Sequence, residues 1–192
     1  PQAVSYLKQH KGYEDLFEGY NEADLHRGQI EKMLRLTVYR DFSKLYRIAN
    51  VELRKFLALY FKRYEVSVIK ECLNTVFDHR DVVLNLSIFD EFFNKHSQLD
   101  INLLASSRTI EELIANLKGT EYYAPLSQLA DIERPTLFDY EMTLDLYYFA
   151  QMWKDRSKVV TKRDLEELSA AWGSKFDMLN LQWMYRSIRY YH

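Results

Sequence analysis

An all-α fold is predicted, and three observations predict it. Helix breakers are rare: the 192 residues include five Gly and three Pro, one Pro being the first residue. Apolar residues recur at three- and four-residue spacing through the long segments, the signature of helices with one buried face. The chain also repeats itself once. NVELRKFLALYFKRY at 50–64 aligns with KRDLEELSAAWGSKF at 162–176, 112 residues apart. Leu53 falls on Leu165, Phe56 on Leu168, Ala58 on Ala170 and Tyr60 on Trp172. Arg63 falls on Lys175, Tyr64 on Phe176, Glu65 on Asp177 and Ile69 on Leu181. Solenoid repeats run about 20–50 residues, so this spacing points to a duplicated sub-domain of several helices.

The elements follow in order. Residues 4–20 read as two short helices broken near Lys11-Gly12. Residues 21–28 form a turn, with Asp24 as N-cap. A strongly amphipathic helix follows over 29–48, with Ile30, Met33, Leu34, Val38, Leu45 and Ile48 on one side. Asn50 caps a long helix to Phe77 carried by Leu53, Leu57, Tyr60, Tyr64, Val68, Cys72 and Val76. His79-Arg80-Asp81 ends it. Residues 83–93 are β-rich, but no neighbouring segment offers a strand partner, so a helix is expected there too.

Two short helices are expected at 99–104 and 109–117, the second opened by a Thr109–Glu112 capping box. Gly119 punctuates, and 121–129 is a short helix interrupted at Pro125. Arg134-Pro135 marks a boundary, since the residue before Pro resists the α conformation. A helix over 138–158 carries Tyr140, Leu144, Tyr147, Tyr148, Gln151 and Met152. A second capping box, Thr161 with Asp164, opens the last helix, which reaches Tyr190. Gly173 within it costs about 1 kcal/mol against Ala, which suggests a close helix contact or a kink.

The halves match in this order: a Lys-Gly mark, a short helix, a long helix, then a capped long helix. The spacing drifts from 107 residues at the Lys-Gly pair to 112 at the last helix, as duplication followed by small insertions produces. Two helical modules are expected, 1–105 and 106–192.

Composition narrows the function. The net charge is −2, from 26 basic and 28 acidic residues mixed along the chain. Nucleic-acid binding needs a basic stripe that is absent here. No apolar run approaches the roughly 20 residues of a membrane span, and no secretory signal is visible. The chain starts at Pro1 rather than Met and reads as an excised fragment. Its single Cys, Cys72, lies on an apolar stripe and reads as a small core residue. That excludes an internal disulfide and fits a cytoplasmic location. The 15 Tyr, 11 Phe and 3 Trp read as packing between helices, with Tyr hydroxyls at the boundary.

No catalytic constellation emerges. Phosphate loops, dinucleotide fingerprints and zinc-protease or serine-hydrolase motifs are missing. The five His share no metal-ligand spacing. Asp78-His79-Arg80-Asp81 has the residue types of a metal-dependent phosphohydrolase pair, but lacks further ligands and reads as a solvated helix end. The acidic pairs Glu111-Glu112 and Glu166-Glu167 sit in first turns, where they complement the helix dipole. No catalytic, cofactor-binding or metal residue is expected. A sharper pattern flanks the repeat: Arg63-Tyr64-Glu65 and Lys175-Phe176-Asp177 each set a base and an acid around an aromatic.

The segment DMLNLQWMYRSIRYY at 177–191, with 109–126 and 138–153, resembles the C subunit of V-type (A-type) ATPases. That family is similar to the d subunit of eukaryotic V-ATPases. The family pattern in the last helix is met by Asp177, Asn180, Leu181, Gln182, Arg186, Tyr190 and Tyr191. In the first copy Glu65, Ile69 and Lys70 fit, whereas Val68 and Asn74 stand where Asn and Arg are expected. The resemblance spans the chain, which lacks the family's N-terminal helix and most of a third copy.

The resemblance implies a funnel of pseudo-symmetric helical sub-domains at the cytoplasmic side of the membrane. It implies a non-catalytic coupling subunit that links the central shaft to the membrane rotor ring, without cofactor. Its partners would be the shaft subunits and the ring, with no nucleic acid and no membrane span of its own. Arg63, Glu65, Lys175, Asp177, Asn180, Gln182 and Arg186 are then the candidate partner-binding or inter-helix polar positions. Two rivals are a helical adaptor of the same fold in another complex and a small hydrolase using the 78–81 cluster.

Overall fold

α1 (Gln2–Lys8) and a 3-10 turn at Glu14–Phe17 open the chain, followed by α2 (Arg27–Ile48) and α3 (Val51–Phe77). This is a computed structural model that describes residues 2–10, 12–21, 25–78 and 84–190. A 3-10 turn at Ser87–Phe89 leads into α4 (Asp90–His96), then α5 (Ile101–Ser106), α6 (Ile110–Asn116) and α7 (Tyr123–Ser127). α8 (Leu137–Val159) and α9 (Lys162–Tyr190) complete it. No strand occurs among the described residues, so the fold is all-α as expected.

α2 begins earlier than expected, at Arg27. Its N-cap is His26, whose N–H donates to Gln29 Oε1 at 3.0 Å. The expected cap, Asp24, lies outside the described residues. The buried face of α2 also differs from the predicted stripe. Met33, Tyr39 and Phe42 are buried, whereas Val38 and Leu45 are exposed and Ile48 is 79% exposed. The reason is that α2 serves two cores. Its first turns set Met33 against Val4, Leu16 and Phe17. Its later turns rotate Tyr39 and Phe42 into the main core, where Phe61, Tyr64 and Phe92 meet them. Aromatic rings bury more area than the aliphatics they displace.

Asn50 caps α3 as expected, its Oδ1 accepting from Leu53 N–H at 2.8 Å. α3 ends at Asp78, and 79–83 lie outside the described residues. The helix expected at 83–93 starts late and ends late. Asn85 Oδ1 accepts from both the N–H and the hydroxyl of Ser87, a local turn that competes with helix until Ser87. Thr109 caps α6 by accepting from Glu112 N–H, but Glu112 reaches back to Arg108 N–H rather than closing the box on Thr109.

Pro125 does not interrupt α7. It sits in the first turn, where its missing N–H has no intrahelical acceptor. The break comes afterwards, where a 3-10 turn at Gln128–Asp131 takes over. Arg134 is the boundary residue, with φ of 58°. Thr136 and Asp139 then form a full capping box on α8. The Lys-Gly marks share a backbone feature: Gly12 and Gly119 have φ of 98° and 88°, a region L side chains avoid.

Three long helices run antiparallel in series. Asn74 meets Glu141 and Lys70 meets Asp145 along α3 and α8. Arg156 meets Ser169 and Phe149 meets Phe176 along α8 and α9. α3 is the centre of the core, burying Leu57, Val68, Ile69, Cys72 and Leu73. α8 adds Tyr140, Leu144, Tyr148 and Met152, one every four residues. One continuous core thus takes side chains from both halves of the chain. Cys72 is buried in it, and burial pushes its thiol up to about 12.

Candidate functional site

α9 is amphipathic twice over. At about 100° per residue, Trp172, Phe176, Leu179 and Trp183 share one face. That face meets α8: the Phe149 ring lies 4.7 Å from Phe176 and 5.8 Å from Trp183. The opposite face carries Met178, Leu181, Met184, Tyr185 and Ile188, which are 60% to 69% exposed. Further back on that face stand Arg163, Glu166, Glu167 and Ser174. The outward face therefore turns from polar to apolar halfway along.

The five candidate positions on α9 edge this strip. By helical spacing Lys175, Gln182 and Arg186 form one edge, and Asp177 with Asn180 the other. All five are exposed. Arg63 on α3 is exposed as well and donates to the Tyr60 hydroxyl at 3.0 Å. The structure thus gathers the α9 set on one helix, with Arg63 on a separate one.

Glu65 is placed differently from Asp177, the residue with which it aligns in sequence. It is buried, and the hydroxyls of Ser97 and Tyr122 donate to its two oxygens, Tyr122 at 2.6 Å. Both oxygens are occupied internally, so Glu65 is an inter-helix polar group. Burial pushes its carboxyl above the ordinary range, and the donated bonds only partly offset this. Tyr122 is also fully enclosed, against the expectation of Tyr hydroxyls at the boundary. Burial first, then the Glu65 charge, raises its phenol and keeps it protonated.

A polar seam that the sequence does not announce runs beside this group. Lys62 grips Glu121, which also accepts from the Tyr147 hydroxyl at 2.9 Å. Lys70 pairs with Asp145 at 2.6 Å, and Asn74 bonds Glu141 at 3.0 Å. Lys62, Lys70 and Asn74 share a face of α3 by spacing, which is the one signal the sequence carries. Their partners are 59 or more residues away, so the pairing is not legible there. Gly173 meets no close obstacle: an added Cβ would lie 3.9 Å from the Trp153 ring, an ordinary contact.

A second surface feature is a groove of about 500 Å³ between α2 and α4. Its floor includes Tyr39 and Phe92, and its walls include Arg40, Lys44, Arg47 and Lys95. No helix among the described residues is long and apolar enough to cross a membrane. No group of three or more His, Cys, Asp or Glu suited to a metal occurs among them either.

Residues 1–192 match the family described as ATP synthase (C/AC39) subunit. The chain belongs to that family. The C subunit of the A-type ATP synthase of Methanosarcina mazei is 32% identical over 152 residues, 76% of this chain and 39% of that protein. Its Methanosarcina acetivorans counterpart is 30% identical over 151 residues, 76% of this chain and 39% of the relative. That of Methanocaldococcus jannaschii is 24% identical over 156 residues, 80% and 38% respectively. The chain thus corresponds to under two fifths of these curated relatives. No solved structure matches it significantly.

Proposed function

We propose that this chain is part of a non-catalytic coupling subunit of a rotary V/A-type ATPase. It links the central shaft to the membrane rotor ring and sits peripherally on the cytoplasmic face. The observation that carries the reading is the family match along the whole chain. The packing supports it physically. A torque coupler must transmit strain, and a close-packed interior does so. Here α3 and α8 share one core and a seam of inter-helix polar contacts, and α9 packs on α8 through Phe149 and Phe176.

In this reading the modules 1–105 and 106–192 are copies of one ancestor within a funnel. The polar edges of α9 at Lys175, Asp177, Asn180, Gln182 and Arg186 contact a partner, with Arg63 as the first copy's counterpart. Apolar surface rimmed by polar residues is the usual composition of such an interface.

Co-purification of the full-length protein with candidate shaft subunits tests the role. Shaft subunits are expected to be retained, and the double reversal Lys175→Glu with Arg186→Glu is expected to weaken retention. Failure of the wild type to hold either shaft subunits or ring would overturn the coupling role. Unchanged retention by the reversed variant would overturn only the assignment of α9.

A further inference from the structure

We propose that the groove between α2 and α4 binds an acidic amphipathic helix of a partner protein. Charge sets this groove apart. Arg40, Arg47 and Lys95 line it and form no ion pair among the described residues. Lys44 reaches only Asp41, one turn back at 3.1 Å, with both side chains mostly in water. Four cations thus face one lining carboxylate, Glu91, in a chain whose net charge is −2. The mixing of signs seen elsewhere breaks down here.

Half-buried Leu36 supplies apolar contact above a buried aromatic floor. Tyr39 and Phe92 stack at 4.2 Å with their planes 3° apart, a rigid base locked into the main core. Ile88, exposed at the groove's end, extends the apolar strip outward. An apolar floor with a charged wall suits a helix that is apolar on one side and charged on its flank.

Spacing selects the occupant. Arg40, Lys44 and Arg47 stand at i, i+4 and i+7 on α2, so the row spans roughly 10 Å at 1.5 Å per residue. A single phosphate would engage only part of a row this long. Carboxylates at the same helical spacing on a partner would meet all three. A nucleic-acid strand would need a free basic row to continue, but the next cation, Arg54, is turned onto the Tyr46 and Arg47 carbonyls. This site stands apart from the coupling role and does not depend on the α9 contact.

The test uses the 192-residue chain and two fluorescein-labelled synthetic helices. Both carry a Leu/Phe face. One bears Glu at i, i+4 and i+7 on its flank, and the other bears Lys at the same places. Fluorescence anisotropy is expected to show binding of the Glu helix that weakens with added salt. The variant R40E/K44E/R47E is expected to bind it at least about tenfold more weakly and to gain affinity for the Lys helix. K95E, on the opposite wall, repeats the test independently, and circular dichroism checks that both variants stay helical. K162E/R163E, remote on α9, is expected to bind as the wild type does. No binding of the Glu helix, or equal binding by the groove variants, overturns the proposal. Binding of phosphatidylserine vesicles through these cations without peptide binding would overturn it in favour of a membrane contact.

Discussion

The phenol of Tyr122 donates to Glu65 Oε2 across 2.6 Å, joining residues 57 positions apart in the interior. This bond ties α3 to the segment between α6 and α7. Tyr122→Phe removes the donor and leaves a buried carboxylate short of a partner. A loss of about 1.5–3 kcal/mol is expected, read as a lower denaturant midpoint. A loss within error would mean that water replaces the hydroxyl.

The same carboxylate gives a pH dependence of defined sign. Its folded pKa is raised above the ordinary 4.5 by burial. Its contribution to stability is therefore fully present below 4.5 and lost as pH rises through the folded value. Other groups also titrate, so the comparison is with Glu65→Gln. The melting temperature of the wild type should rise relative to that variant as pH falls from neutral toward 4.5. A difference that stays flat with pH would show that Glu65 titrates alike in both states.

Phe56 on α3 and Trp172 on α9 stack with centroids 6.0 Å apart and planes 19° apart. In the repeat alignment Trp172 corresponds to Tyr60, one turn beyond Phe56. The two corresponding helices thus touch with a one-turn stagger. A double-mutant cycle with Phe56→Leu and Trp172→Leu should give a coupling of about 0.5–1.5 kcal/mol. A coupling near zero would reduce the contact to simple proximity.

Gly173→Ala should stabilise the protein by about 1 kcal/mol. An added Cβ meets only the Trp153 ring, at 3.9 Å, so helix propensity gains without a clash. Thermal melting reads the outcome, and destabilisation would reveal a tighter α8–α9 contact than this geometry has.

Charge reversal at Lys175 and Arg186 should leave chemical denaturation within about 0.5 kcal/mol of the wild type, because both side chains are exposed. This separates the expected loss of partner retention from loss of fold. A larger shift would give these residues a structural role.

Features with a local cause are legible in the sequence. Asn50 caps α3, Thr161 accepts from Asp164 N–H at the start of α9, and Arg134 marks the boundary before α8. The every-fourth-residue face of α8 is visible in Tyr140, Leu144, Tyr148 and Met152. The buried face of α2 is not legible, because its pattern holds two overlapping stripes and periodicity alone does not say which stripe finds a partner. Pro125 misleads because a proline's effect depends on its position in the turn.

Composition, periodicity and capping residues by themselves determined an all-helical chain and its long helices, since these depend on contacts within a few residues. Tertiary structure alone decided that Glu65 is enclosed while Asp177 faces water, that Lys62 meets Glu121, and that four cations converge on one groove. Aligned positions in two similar segments share a helix register but not their surroundings, and burial is a property of what lies across the interface.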